Sequence, residues 1–126
     1  MRAPDLDLPF FVSGQFLSGQ PLAWVFGRPV RPRLAKVKGR LWRLPSGTVQ
    51  FVYTSDGIWI QGDLVSPDRR SLELAMNIAR DELELVECVA LVSARAVRAL
   101  TFTADPVQLK RSSGRPLRST SWARFS

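Results

Sequence analysis

From Ala35 to Trp42 the chain alternates strictly, with Ala35, Val37, Gly39 and Leu41 set between Lys36, Lys38, Arg40 and Trp42. That is the period of a strand with one buried face. Pro45, Ser46 and Gly47 predict a turn, and Thr48 to Thr54 is rich in β-branched and aromatic residues. Ser55-Asp56-Gly57 is a hairpin signal, and a further alternation runs through Ile58, Ile60, Gly62 and Leu64. Three strands in a meander are expected here. Upstream, Phe10, Phe11 and Val12 read as a short buried strand that runs into a loop opened by Ser13-Gly14 and closed by Gly19, Gln20 and Pro21.

After the meander the period changes. Ser66-Pro67-Asp68 supplies a cap and a proline suited to a first helical turn, and good helix formers continue to about Leu83. At about 100° per residue, Leu72, Ala75, Met76, Ala79 and Leu83 form one stripe, widened by Ile78. One face of this helix is expected to pack on a sheet. Leu85 to Val92 and Ala96 to Thr103 then read as two strands joined at Ser93-Ala94-Arg95. The order strand, loop, three strands, helix, two strands fits an α+β domain over residues 1–104. Residues 105–126 are rich in Pro, Ser and Arg and are expected to form a basic, irregular tail, with Trp122 and Phe125 available as anchors.

Composition narrows the chemistry. The 126 residues fit one domain, and 45% of them are hydrophobic, which supports a packed core. There is no histidine, so Ser-His-Asp and Cys-His nucleophilic sites and histidine-based zinc sites are excluded. Ser13 also lacks a G-x-S-x-G elbow. Cys88, the single cysteine, lies among Val86, Val89 and Ala90, the setting of a small buried hydrophobe. No run approaches the roughly 20 apolar residues of a membrane span, and the N-terminus lacks a signal-peptide pattern. A cytoplasmic protein is expected.

The net charge of +7 is concentrated in two places. Arg28, Arg31, Arg33, Lys36, Lys38, Arg40 and Arg43 have no acid among them, and Lys110, Arg111, Arg115, Arg118 and Arg124 mark the tail. A solvated strand face with a charged tail accounts for this, and so does a surface for a polyanion or an acidic partner. Trp42, Tyr53 and Trp59 beside the basic strand fit either cross-strand pairs or a stacking platform.

The stretch F-F-V-S-G-Q-F-L-S-G from Phe10 to Gly19 resembles the F-V-Y-G-T-L-x-S-G strand and loop of the gamma-glutamylcyclotransferase-like family, with Phe11, Val12, Gly14, Ser18 and Gly19 matching. Ser13 stands where the family has tyrosine, Gln15 where it has threonine or serine, and Phe16 where it usually has leucine. A-K-V-K-G-R-L-W from Ala35 and G-D-L-V from Gly62 are similar to its A-R-V-R-G-R-L-Y and G-E-L-Y strands. The resemblance implies a small mixed β-barrel with one main helix packed on it.

It also implies a reaction. The loop after the first strand, here Ser13, Gly14, Gln15 and Phe16, would cradle the gamma-glutamyl part of a small-molecule substrate with backbone amides. A glutamate at the helix end would act as general base while the substrate's own amine attacks its γ-carbonyl, releasing 5-oxoproline without a cofactor. The family's L-D-x-L-E-G pattern lies on Arg80 to Leu85 with Asp81, Leu83 and Glu84 matching, which makes Glu84 the base. Glu82 is the alternative, inside the apolar arc if the helix continues. A solvated acidic helix end remains open beside both, as does a family member that has lost catalysis and keeps its body for binding a ligand or a protein. Asp63, where the family has glutamate, alternates away from Ile60 and is expected to be exposed or paired with an arginine.

Overall fold

A computed structural model describes residues 6–13 and 33–118 of the chain. Along them run β1 (Phe10–Val12), β2 (Arg33–Arg43), β3 (Val49–Tyr53), β4 (Ile58–Val65), α1 (Arg69–Ala79), β5 (Leu83–Val92), β6 (Arg95–Ala104), α2 (Pro106–Arg111) and β7 (Arg115–Pro116). The long alternating strand β2 organises the sheet. Its first half pairs with β4, from Arg33↔Leu64 to Gly39↔Ile58, and its second half with β3, from Gly39↔Tyr53 to Arg43↔Val49. Both partners run antiparallel to β2, so Ser55-Asp56-Gly57 turns the chain without reversing it and the expected meander is not formed. Residues 54–57 instead interrupt one course along β2.

Closure comes from short pairings. β1 pairs antiparallel with β4 and parallel with β6 at Phe10↔Leu100. β6 pairs with β5 from Leu83↔Ala104 to Val92↔Arg95, and β5 returns to β2 through Lys36↔Leu91 and Val37↔Ala90. The ring β2-β4-β1-β6-β5 is a closed mixed barrel with β3 and β7 attached to β2. The barrel implied by the family motifs is therefore present.

Its interior is filled by Phe11, Val37, Leu41, Ile60, Leu64, Cys88, Ala90 and Ala99, with Val49 and Phe51 contributed by β3. Two inward glycines make room for two rings. A side chain at Gly62 would meet the Phe11 ring and the Val12 carbonyl, and one at Gly39 would meet the Phe51 ring and the Val52 carbonyl. The rings touch each other at 5.9 Å between centroids, tilted by 60°. Burial pushes the Cys88 thiol up to about 12, with the charge of Glu87 adding to it. Since the thiolate is the reactive form, Cys88 should resist a thiol reagent such as dithionitrobenzoate in the folded protein and react fully in denaturant. The folded thiol keeps its proton where the unfolded one loses it, so stability should fall as pH rises past the ordinary cysteine pKa of about 8.5.

Helix α1 covers one outer side of the barrel. Asp68 is its N-cap, with Oδ1 accepting from the Ser71 N–H at 2.7 Å, which holds this exposed carboxyl below its ordinary range. Leu72, Ala75 and Ala79 bury against Phe10, Val12, Val65, Leu100 and Phe102. Ile78 is exposed and does not widen the buried stripe. The helix ends at Ala79, four residues before the expected Leu83, and Leu83 opens β5 instead. The Glu82 N–H donates to the Ala79 carbonyl at 3.0 Å in the turn between them.

The expected irregular tail is ordered in part. Asp105 caps α2, its Oδ1 accepting from the Val107 N–H at 2.9 Å, and Pro106 fills the first turn. Leu109 is buried beside Trp42, Val52 and Ala104. β7 then pairs with the end of β2 at Trp42↔Pro116 and Arg43↔Arg115. Trp122 and Phe125 lie outside the described residues, and no described helix is long and apolar enough to cross a membrane.

Candidate functional site

Two hollows of very different size open near the end of the barrel where β1 stops. The smaller is a cavity of about 20 Å³ bounded by Phe11, Ser13, Phe51, Leu83, Thr101 and Phe102. It has room for about one water molecule. Ser13 is buried at its wall, and the neighbouring strand is pinned by the Thr101 hydroxyl, which donates to the Phe11 carbonyl at 3.0 Å. Gly14, Gln15 and Phe16, the rest of the expected amide cradle, lie outside the described residues.

The larger hollow is a groove of about 620 Å³ whose walls include Tyr53, Glu82, Glu84, Val86, Thr103 and Gln108. It continues under α2 into a hollow of about 380 Å³ that shares Asp81, Glu82, Asp105 and Gln108. Strand period explains which residues face it. Cys88 and Ala90 point into the barrel, so Val86 and Glu84 stand on the same side of β5, with Glu84 at the barrel's mouth opposite Thr103. Leu83 and Leu85 take the other side and pack on the α1 cluster.

This corrects the expected position of the base. Glu84 is the second residue of a strand and not the end of a helix, so the helical wheel that weighed it against Glu82 does not apply. Glu84 is exposed and lines the groove, and so is Glu82, in the turn before β5. Neither carboxylate lines the cavity beside Ser13, where Leu83 stands. Leu83 borders both hollows.

Three residues of the groove were not singled out as site residues from the sequence. The Tyr53 N–H donates to Thr103 Oγ1 at 2.7 Å, which fastens β3 across the barrel end. Burial, and after it the neighbouring Cys88, raises the Tyr53 phenol above its ordinary range, so the groove keeps a neutral hydroxyl. Gln108 enters from α2. The alternation Ala99, Thr101, Thr103 on the inward side of β6 was the available signal, because hydroxyls on a barrel-facing row mark a polar end to the core.

Asp63 differs from expectation as well. It is half-buried opposite Val12, forms no ion pair with an arginine among the described residues, and lines neither hollow at the barrel mouth. Desolvation raises its carboxyl. Among the described residues no three ligating side chains are grouped to hold a metal ion.

With Asp81, Glu82, Glu84 and Asp105 along it, the groove carries negative charge and suits a ligand bearing an ammonium group. A general base needs to reach the proton it removes while the substrate is held. Glu84 pairs with Thr103 of β6, and β1 runs parallel to β6 with Phe10 opposite Leu100, so Ser13 and Glu84 lie at the same end of the barrel.

No family model matches the sequence, and no curated protein matches it. Solved structures do. YkqA from Bacillus subtilis aligns with a TM-score of 0.72 at 13% identity over 93% of this chain, which spans 40% of that protein. The uncharacterized protein PH0828 from Pyrococcus horikoshii gives 0.71 at 14% identity, with 94% of this chain and 92% of that one covered. An AIG2-like protein from Mus musculus, also called ggact, gives 0.66 at 15% identity over 81% and 82% of the two chains. The chain has the gamma-glutamylcyclotransferase-like fold, and identities this low carry the fold alone.

Proposed function

We propose that the groove at the barrel mouth binds a small amine-bearing ligand, the class to which gamma-glutamyl amines belong, and that it does so without turning the ligand over. This reading rests on the four carboxylates along the groove, Asp81, Glu82, Glu84 and Asp105, and on Ser13 and Gln15 standing where the family has tyrosine and threonine. Glu84 borders a wide open groove, while the serine that replaces the family's tyrosine borders a space for about one water. Ring closure to 5-oxoproline requires one substrate to be cradled and deprotonated in one place. Glu84 and Glu82 then serve as counter-ions for the ligand's ammonium, and Tyr53 and Thr103 as polar contacts. No cofactor enters this reading.

The cyclotransferase alternative is favoured by one feature, the placing of Glu84 on the barrel-facing side of β5. A panel of gamma-glutamyl amines, followed by calorimetry and by chromatography for 5-oxoproline, separates the two. Saturable binding that weakens about tenfold or more in Glu84→Gln, with no product, is expected. Product formation abolished by Glu84→Gln would make the protein a cyclotransferase. Absence of binding across the panel would remove the amine-binding reading.

A further inference from the structure

Among the described residues, the outer side of the barrel away from α1 leaves three large apolar side chains exposed. Leu34 is 81% exposed, Val89 50% and Trp59 37%, on strands β2, β5 and β4 respectively. A second groove, of about 420 Å³, runs between Leu34, Lys36, Trp59, Gln61, Leu91 and Ser93. The Lys38 ammonium lies over the Trp59 ring, 5.3 Å from its centroid. Among the described residues no carboxylate lines this groove, whereas four line the grooves at the barrel mouth. The nearest acid on the outer side of β4 is Asp63, one alternate position beyond Gln61.

We propose that this face, with Trp59 at its centre and Lys36 and Lys38 beside it, binds single-stranded nucleic acid. Lys36 and Lys38 occupy alternate positions of one strand, so their side chains leave the same face about 7 Å apart along it. They flank an aromatic surface, the combination that tracks a phosphate backbone while a base stacks. Lys38 now occupies the ring face by cation–π attraction. An incoming base takes that place and frees the ammonium for a phosphate. The Gln61 amide, in the same groove, offers a donor and an acceptor to a base edge. A duplex keeps its bases stacked and closed, so Trp59 is of use only with an unpaired strand. A ring face already capped by an ammonium and a neighbouring Gln61 amide suit a base's stacking face and its edge together, which favours nucleic acid over an acidic peptide or an anionic membrane.

The test is fluorescence anisotropy with a labelled oligothymidylate of about 12 nucleotides, within the site size of small single-strand binders. Salt-dependent binding is expected, with affinity falling about tenfold or more in Trp59→Ala and largely kept in Trp59→Phe. Replacing Lys36 and Lys38 together with Gln should flatten the dependence of log affinity on log salt by roughly 1.4, about 0.7 for each lysine. The matching duplex, polyglutamate and phosphatidylserine vesicles should bind more weakly and ignore Trp59→Ala. Failure of the oligonucleotide to bind at low salt, or equal binding by Trp59→Ala with an unchanged melting curve, overturns the proposal. Polyglutamate or vesicles bound as tightly, with the same loss in Trp59→Ala, would overturn it in favour of an acidic protein or a membrane.

Discussion

Phe11→Ala should cost about 3–5 kcal/mol of stability, read as a drop in the urea midpoint with little change in slope. Phe11 is fully buried, and its ring lies inside the barrel over Gly62 and against Phe51. Removing it leaves a void walled by closed strands, which cannot collapse without breaking their pairing. Against a typical total of about 5–15 kcal/mol, such a loss removes a large part of the fold's margin. A loss below about 1 kcal/mol would mean that the barrel interior is not the packed core described above.

Gly62→Ala should cost about 1–3 kcal/mol or more from overpacking. Its methyl group would press on the Val12 carbonyl oxygen and approach the Phe11 ring to 2.7 Å. Val12 sits in the β1–β4 ladder, so its backbone cannot yield as a flexible side chain would. Shrinking the ring by Phe11→Leu should therefore restore only part of the loss, and urea unfolding of the double variant measures how much. Full restoration would place the whole conflict in the ring and none in the ladder.

These two residues were legible in the sequence to different degrees. The apolar run containing Phe11 and the alternation through Gly62 predict inward positions, but nothing local shows that one is the seat of the other. The same holds for closure, which rests on pairing β2 with β5 at Lys36↔Leu91 and Val37↔Ala90, far apart in the chain. Periodicity reports which side of an element is buried and is silent about its partner. The family motifs supplied the barrel.

The helix boundary failed for a related reason. Leu83 continues the apolar stripe of α1 and does pack against the same cluster, yet it reaches it from β5 after a tight turn. The stripe predicts the cluster Leu83 packs on but not the element that carries it, and Glu84 accordingly lies in a strand and not at a helix end. Asp105-Pro106, which starts α2, is as clear a start signal as Ser66-Pro67-Asp68. The charged, serine-rich composition downstream masks that local cap. The exposed indole of Trp59 was also unreadable, since Trp42, on an outward position of β2, is buried beneath α2 and β3 while Trp59 is not.

What the ligand touches tests the central claim most directly. Titrating isotopically labelled protein with a gamma-glutamyl amine and following backbone amide shifts reports every residue at once. The largest changes are expected at Tyr53, Glu84 and Thr103, and they should vanish in Glu84→Gln. Changes centred on Ser13 and Thr101, with Glu84 unmoved, would put the ligand in the other hollow and contradict the account.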